Sequence, residues 1–528
     1  MNVASEKKSG TAHSRTKNTI YNFVSSIGGQ VLTIVLQFAV RTVFIHTLGK
    51  SYLGIGGLFS NILTMLSLAE LGVGNAIIFK LYKPLAEKDY HRIVLLMKFY
   101  RQVYKVIGLV VAVLGLSLIP FLPYLIRDYD TLAALHINAA LIFCLYLFQS
   151  VSSYLFFAYK SAIIRANQQE YLLNVTEYIF SVGLAVAQIV LLLVYPNFEL
   201  FLALRIINII IKNMIWARMA DRQFPYINEK TKDSISKAEI REIFKDCGAL
   251  LLYKLNGVVL KATDNIVLSS FLGLGMVGMY SNYYIFYTTL QTLFSKAFGA
   301  VAHSLGNLHA VDKGRHEYEI FRVVNLIAVI LGGTACVGIF ICADEFVLAW
   351  VGQDWIIEQP FSLLMGIELI TLSIRHALGR YRSAMGLFQQ AKYRPLFGMI
   401  INLLVSVVLV RTWGICGVLV GTIAADWLTV MWYDPIIIHK YGFKAPEQTM
   451  GYFLRLAKSI AVVALVGAMD YVICTHILTD MGWFSVIAHA VICGITVPTA
   501  LLAAYVGSYE GKYLLKAASR VVKKLGKR

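Results

Sequence analysis

Acidic charge is scarce in this chain. Of 528 residues only 30 are Asp or Glu, against 48 Lys or Arg, and charged residues of both signs make up 15% of the total. With 58% of residues hydrophobic, so little charge excludes an ordinary soluble globule, because no core of this length could hide that much apolar surface. Paired cysteines are lacking too. Cys144, Cys247, Cys336, Cys342, Cys416, Cys474 and Cys493 show no CxxC spacing and sit mostly inside apolar stretches. That excludes a disulfide framework and a thiolate metal site, and leaves small core residues. No loop is long enough for a folded extramembrane domain, and the GxG runs lack the lysine of a phosphate loop. No cofactor and no metal are expected.

What remains is a polytopic membrane protein, all-α in class. The net charge of +18 does not point to nucleic acid, because the basic residues fall in short segments between apolar spans, as the positive-inside rule requires. Lys7, Lys8, Arg15 and Lys17 precede a first span too long for a signal-peptide core and without a convincing cleavage site, so it is expected to be retained.

At about 20 residues per span, helices are expected near 20–46, 52–80, 104–124, 134–160, 173–195 and 198–220, then 246–272, 277–303, 320–343, 360–385, 395–413 and 415–438, then 452–477 and 482–507. About fourteen spans follow. They divide into a basic N-terminal tail (1–19), an N-lobe (20–220), a hydrophilic linker (221–245), a C-lobe (246–440), a C-terminal helix pair (450–507) and a basic tail (508–528). Lys80, Lys83, Lys88, Arg92, Lys160, Arg165, the linker, Lys313, Arg315, Arg322, Arg380, Arg382, Lys392, Arg394, Lys440, Lys444, Arg455 and Lys458 all fall on the side of the termini. The opposite loops hold little beyond Lys50, Arg127 and Arg411, so both termini are expected to be cytoplasmic.

In the first span Asn22, Ser26, Gln30, Thr33, Gln37 and Arg41 recur at steps of three and four, one face of an otherwise lipid-like helix. The arrangement occurs twice. LGIGGLFSN at Leu53 to Asn61 returns as LGMVGMYSN at Leu274 to Asn282, and YKSA at Tyr159 to Ala162 returns as YRSA at Tyr381 to Ala384. Because both copies begin on the same side, the duplication is parallel, with two six-helix lobes expected to face each other across a cavity. Gly54, Gly56, Gly57, Gly72 and Gly74 suit close helix packing or local unwinding.

A cation at bilayer depth costs roughly 2.5–3.5 kcal/mol on insertion scales, so Arg41, Lys254 and Lys261 need an offset. One reading is internal ion pairing, Lys261 with Asp264 and Arg41 with Glu70. The other is a cationic cavity for an anionic substrate, with Gln30, Gln37, Asn61 and Asn282 as neutral hydrogen-bonding groups and the guanidinium fork suited to a diphosphate. Arg375, Arg380 and Arg382 form a candidate first capture site, although for the last two the positive-inside rule is explanation enough. Glu70, Asp264 and Asp426 are the candidates for ion coupling, and their spacing does not separate that role from pairing.

RTVFIHTLGKSYLGIGGLFSNIL from Arg41, LAELGVGNAI from Leu68, KATDNIVLSSFLGLGMVGMYSNY from Lys261, and SAMGLFQQAKYRP followed by GICGVLVGTIAADW resemble bacterial polysaccharide flippases. These are the O-antigen, capsule and teichoic-acid type exporters of the multidrug/oligosaccharidyl-lipid/polysaccharide superfamily. The resemblance implies a V-shaped, MATE-like alternating-access transporter in the bacterial cell membrane, not an enzyme. Its substrate would be an undecaprenyl-diphosphate-linked oligosaccharide, moved from the cytoplasmic to the outer leaflet for surface polysaccharide synthesis, with membrane lipids, a polymerase and glycosyltransferases as further partners. In that family basic residues of the first, second and seventh or eighth helices line the cavity. Here Arg41, Lys254 and Lys261 match, whereas the second helix has no arginine, which weighs against lipid II as the substrate. The last two helices resemble the pair that forms a lipid-tail groove in lipid II flippases. A multidrug exporter is disfavoured because its usual substrates are cationic. A membrane glycosyltransferase or polymerase is disfavoured because Ala343 to Pro360 is a poor catalytic loop and lobe duplication is not expected there.

Overall fold

In the computed structural model residues 32–67, 73–127, 129, 132, 137–229, 231–241, 263–311, 315–387, 389–477 and 482–525 are described. Their regular structure is entirely helical. Eight helices among them are long and apolar enough to cross a membrane, or nine if the bent pair Ala139–Leu155 and Ala158–Ala166 forms one span. The chain is a multi-pass membrane protein. It folds as two compact units, Met1–Gly275 and Met276–Arg528.

The first unit contains α1 (Leu32–Leu48), α2 (Lys50–Leu66), α3 (Val73–Glu87), α4 (Tyr90–Leu118, continuing through a tight turn to Leu125), α5 (Ala139–Leu155), α6 (Ser161–Ala166), α7 (Glu170–Val194) and α8 (Phe198–Gln223), with α9 at 263–272. Its core is aromatic. Phe44 of α1 meets Phe198 and Phe201 of α8 edge-on at 5.5 and 5.2 Å, and Phe59 of α2 meets Phe143 of α5 at 5.1 Å. Such edge contacts add about 0.5–1.5 kcal/mol each to the burial of the rings. α9 is tied to the end of α4: Ser269 Oγ donates to the Leu125 carbonyl at 2.7 Å and Arg127 to the Phe271 carbonyl at 2.5 Å. The described part of the expected seventh span therefore belongs to the first unit. Residues 231–241 dock on the first turns of α4 through Arg92 to Glu239 and Lys98 to the carbonyls of Thr231 and Asp233.

The second unit contains α10 (Leu274–Val311, which begins at the unit boundary), α11 (Arg315–Val351), α12 (Phe361–Ala384), α13 (Arg394–Asp426), α14 (Tyr433–Ile437), α15 (Gln448–Ile477), α16 (Trp483–Ala504) and α17 (Tyr509–Leu525). α13 holds two of the expected spans, divided where the sequence put the boundary. Gly414 has φ 56° and ψ −134°, a conformation open to glycine and costly for other residues. Past it the chain folds back on itself, so that Asn402 donates to Thr422 at 2.9 Å and Ser406 to the Val418 carbonyl at 3.3 Å. The arms pack at backbone distance because Gly417 and Gly421 face them: a Cβ at Gly417 would overlap the Leu409 carbonyl, and one at Gly421 the Ser406 hydroxyl.

The duplication is visible in the backbone. Gly49 closes α1 and Gly273 closes α9, both with φ 85°, and LGIGGLFSN and LGMVGMYSN each belong to the helix that follows. The YKSA and YRSA blocks also agree. Lys160 and Arg382 are each 6% exposed, and each closes on an aspartate: Lys160 Nζ lies 2.5 Å from Asp221 on α8, and Arg382 lies 3.4 Å from Asp434 on α14.

Of the cysteines, Cys336, Cys342, Cys416, Cys474 and Cys493 are buried, Cys144 is half-buried, and all six are free thiols; Cys247 lies outside the described residues.

Candidate functional site

Gln30, Glu70, Lys254 and Lys261 lie outside the described residues. Arg41 is partly buried on α1, one turn before Phe44, while Gln37 is exposed on the same helix. Asn61 on α2 donates to the Gly57 carbonyl at 2.8 Å.

A cation that the sequence reading did not single out joins this group. Arg205 interrupts the apolar run of α8 one turn after Phe201. Its guanidinium and the hydroxyl of Ser60 on α2 both stand near the hydroxyl of Tyr146 on α5. Gly56 makes room for that phenol, since a Cβ there would stand 2.8 Å from its oxygen. α1 and α8 meet at Phe44, Phe198 and Phe201. At 1.5 Å per residue Arg41 lies about 4.5 Å before Phe44 along α1 and Arg205 about 6 Å after Phe201 along α8. Two guanidinium groups thus belong to helices joined by one aromatic contact, with Ser60 and Tyr146 as neutral polar groups near Arg205. Such a set can bind an anion with two charged oxygens, because each guanidinium offers parallel N–H donors. The signal for Arg205 was present, a lone arginine inside FLALRIINIII, but its register against α1 depends on the fold.

The second unit treats its cations differently. Arg375 on α12 donates to both carboxylate oxygens of Asp426 on α13 at 2.9 Å, next to a hydrogen bond from the Trp427 indole to Thr371 at 3.1 Å. The candidate capture residue and the candidate coupling residue are partners. Arg382 shares Asp434 with Arg394, and Arg380 is partly buried beside them in sequence. Asp264 on α9 and Asn282 on α10 are buried, 7% and 0% exposed. Tyr283, next to Asn282, donates to Asp344 at 2.8 Å, and Ser362 and Gln359 donate to the same carboxylate. No group of three or more His, Cys, Asp or Glu among the described residues is placed to hold a metal ion.

No protein-family model matches the sequence, and no curated protein matches it. Solved structures do. A structure of the lipid II flippase MurJ in an inward closed conformation superposes with TM-score 0.62 at 14% identity, covering 92% of this chain and 98% of that one. The fold is similar to that of MurJ. Weaker matches are an inward-facing multidrug resistance MATE family transporter of the MOP superfamily, at TM-score 0.48, 15% identity and coverages of 75% and 92%, and the Vibrio cholerae MATE transporter VcmN in the bent form, at 0.44, 15%, 79% and 96%. At such identities the likeness speaks for architecture, and the site must be argued from its own residues.

Proposed function

We propose that this chain is a flippase for an undecaprenyl-diphosphate-linked oligosaccharide, carrying the repeat unit from the cytoplasmic to the outer leaflet by alternating access for cell-surface polysaccharide synthesis. What supports the reading is the presence of Arg41 and Arg205 on helices joined by the Phe44–Phe198–Phe201 contact of the first unit, in a fold similar to that of a lipid II flippase. A diphosphate needs compensating charge to leave the aqueous side. Arginine suits this role, since it keeps its charge and grips two oxygens at once. The polyprenyl tail can stay in lipid, so the protein has to shelter only the headgroup while it changes which side is open. Lys254 and Lys261 complete the cationic set in this reading.

Lipid II itself is the second reading, favoured by the 98% coverage of the MurJ structure and disfavoured by the lack of an arginine in the second expected span.

The test is complementation of a strain lacking its polysaccharide flippase, with wild type, Arg41→Ala, Lys261→Ala and Arg41→Lys at matched membrane levels. The expected result is restored surface polymer with wild type, loss with both alanine variants and an intermediate level with Arg41→Lys. Normal export by both alanine variants would make those charges structural and end the cationic-site account.

A further inference from the structure

The last span, α16, is 22 residues long, which at 1.5 Å per residue is about 33 Å, enough to cross the apolar core of a bilayer, so Ala504 ends at a membrane face. Lys458 of α15 marks the same level by donating to the Ala504 carbonyl at 2.7 Å. There the chain turns sharply. Gly511 comes so close to the end of α16 that a Cβ would overlap the Tyr505 carbonyl, and Ser508 Oγ accepts from the Gly511 N–H at 3.3 Å as the cap of a new helix. That helix, α17, is fixed at its root, where Arg322 of α11 donates to both carboxylate oxygens of Glu510 at 2.8 and 2.7 Å.

Beyond the root α17 leaves the body of the unit. Leu515, Lys516, Ala517, Ala518 and Ser519 are all exposed, with Leu515 at 42%. A single helix of 17 residues is marginal in water unless something covers an apolar side. α17 has such a side. Leu514, Ala518, Val521 and Leu525 follow one another at steps of three and four, and Lys512, Lys516, Arg520 and Lys523 do the same at the opposite positions of the helix. From Lys512 to Arg528 the sequence holds seven Lys or Arg and no Asp or Glu. A second copy of this helix would set cation against cation, whereas an anionic surface matches the charge and accepts the apolar side as well.

We propose that α17 docks on a surface of anionic phospholipid, the leaflet at which the last span ends. Its apolar side enters the boundary between headgroups and acyl chains, and its cations draw acidic lipids around it. The Arg322 and Glu510 pair and the tight turn at Gly511 hold the first turn of the helix at the membrane face, so only the part beyond Gly511 has to find the lipid. The contact is independent of what the protein carries, and it ties the end of α16 and the start of α11 to the charge of one leaflet.

The experiment is hydrogen–deuterium exchange of the full-length protein, one copy per lipid nanodisc, in phosphatidylcholine alone and in phosphatidylcholine with about one third phosphatidylglycerol. Amides of α17 should exchange at least about tenfold more slowly where phosphatidylglycerol is present, and the difference should close in about 1 M salt, where the Debye length is about 3 Å. Lys512→Gln/Lys516→Gln should bring the two lipids to within about threefold. Ala518→Gln, neutral and on the apolar side, should do the same. Amides of α16 should exchange alike in every sample, which reports that the fold is intact. Equal exchange of α17 in the two lipids, a difference that neither variant reduces, or protection that appears only in discs holding two copies would each overturn the proposal, the last by assigning the apolar side to a second copy of the chain.

Discussion

The two copies of the duplicated block share a brace and differ in what they do with their arginines. In both, the cation of the YKSA or YRSA block is buried at 6% exposure and closes on an aspartate further along its own unit. In the second unit Arg375 is also matched to a carboxylate, Asp426. In the first, Arg205 stands near a neutral phenol, Tyr146. The first unit also pairs a cation of α8, Lys212, with Glu177 of α7 at 2.8 Å, so the contrast between the units rests on Arg205. Charge needed for packing is paired within the protein, whereas charge meant for a substrate is better held by neutral groups that leave its field intact.

Breaking the braces should give the largest effects, and unequal ones. Asp434→Ala removes the carboxylate that Arg382 and Arg394 share, their side chains 8% and 11% exposed, and is expected to destabilise by about 3–5 kcal/mol, seen as a lowered melting temperature and loss of monodisperse protein. Asp221→Ala should cost less, because Asp221 is already 34% exposed and water can take its place beside Lys160. Equal losses would mean that the two braces are not held in comparable surroundings.

Exchanging roles sharpens the contrast. Arg205→Gln should change folding stability by no more than about 1 kcal/mol while export falls at least about tenfold, since an amide still offers the phenol a polar neighbour but a diphosphate loses its counter-charge. Arg375→Gln should do the reverse, with stability falling through the stranded Asp426.

Between these lies the helical hairpin of α13. Gly417→Ala is expected to cost about 1–3 kcal/mol, because the new methyl group meets the Leu409 backbone, which cannot turn aside. Gly494→Ala, with open space around it, should fall within about 0.5 kcal/mol. Thermal melts of the pair would show whether the hairpin is as tight as its geometry implies.

The smallest effect concerns acid. Burial pushes the Glu510 carboxyl up, but the hydrogen bonds from Arg322 outweigh it and hold the group below its ordinary value. A depressed folded-state value stabilises the α17 root above the usual carboxylate range, and that contribution is lost as pH falls through the lowered value. Melting temperature measured from pH 7 downward should fall more steeply for wild type than for Glu510→Gln.

Much of the architecture was legible in the sequence. Apolar runs near the length of the bilayer pointed to the spans, and similar blocks 221 and 222 residues apart pointed to the duplication, which the matched glycines Gly49 and Gly273 repeat in the backbone. Glycine after Trp413 marked the turn of α13. The candidate site was legible in part. Arg41 was exposed by the period of its own helix, but Arg205 carries no such pattern and gains its place through the ring contacts between α1 and α8. Asp426 and Asp434 pair with arginines 51 and 52 residues earlier, a distance over which sequence spacing says nothing about contact.

The central claim is that the arginines of the first unit hold the lipid diphosphate. The most direct measurement is flipping of a fluorescent undecaprenyl-diphosphate-linked oligosaccharide in proteoliposomes, comparing wild type with Arg41→Gln, Arg205→Gln and the doubly lysine-substituted Arg41→Lys/Arg205→Lys. The account predicts loss with either glutamine variant and partial activity with the lysines. Flipping at the wild-type rate by both glutamine variants, in protein that melts normally, would contradict it.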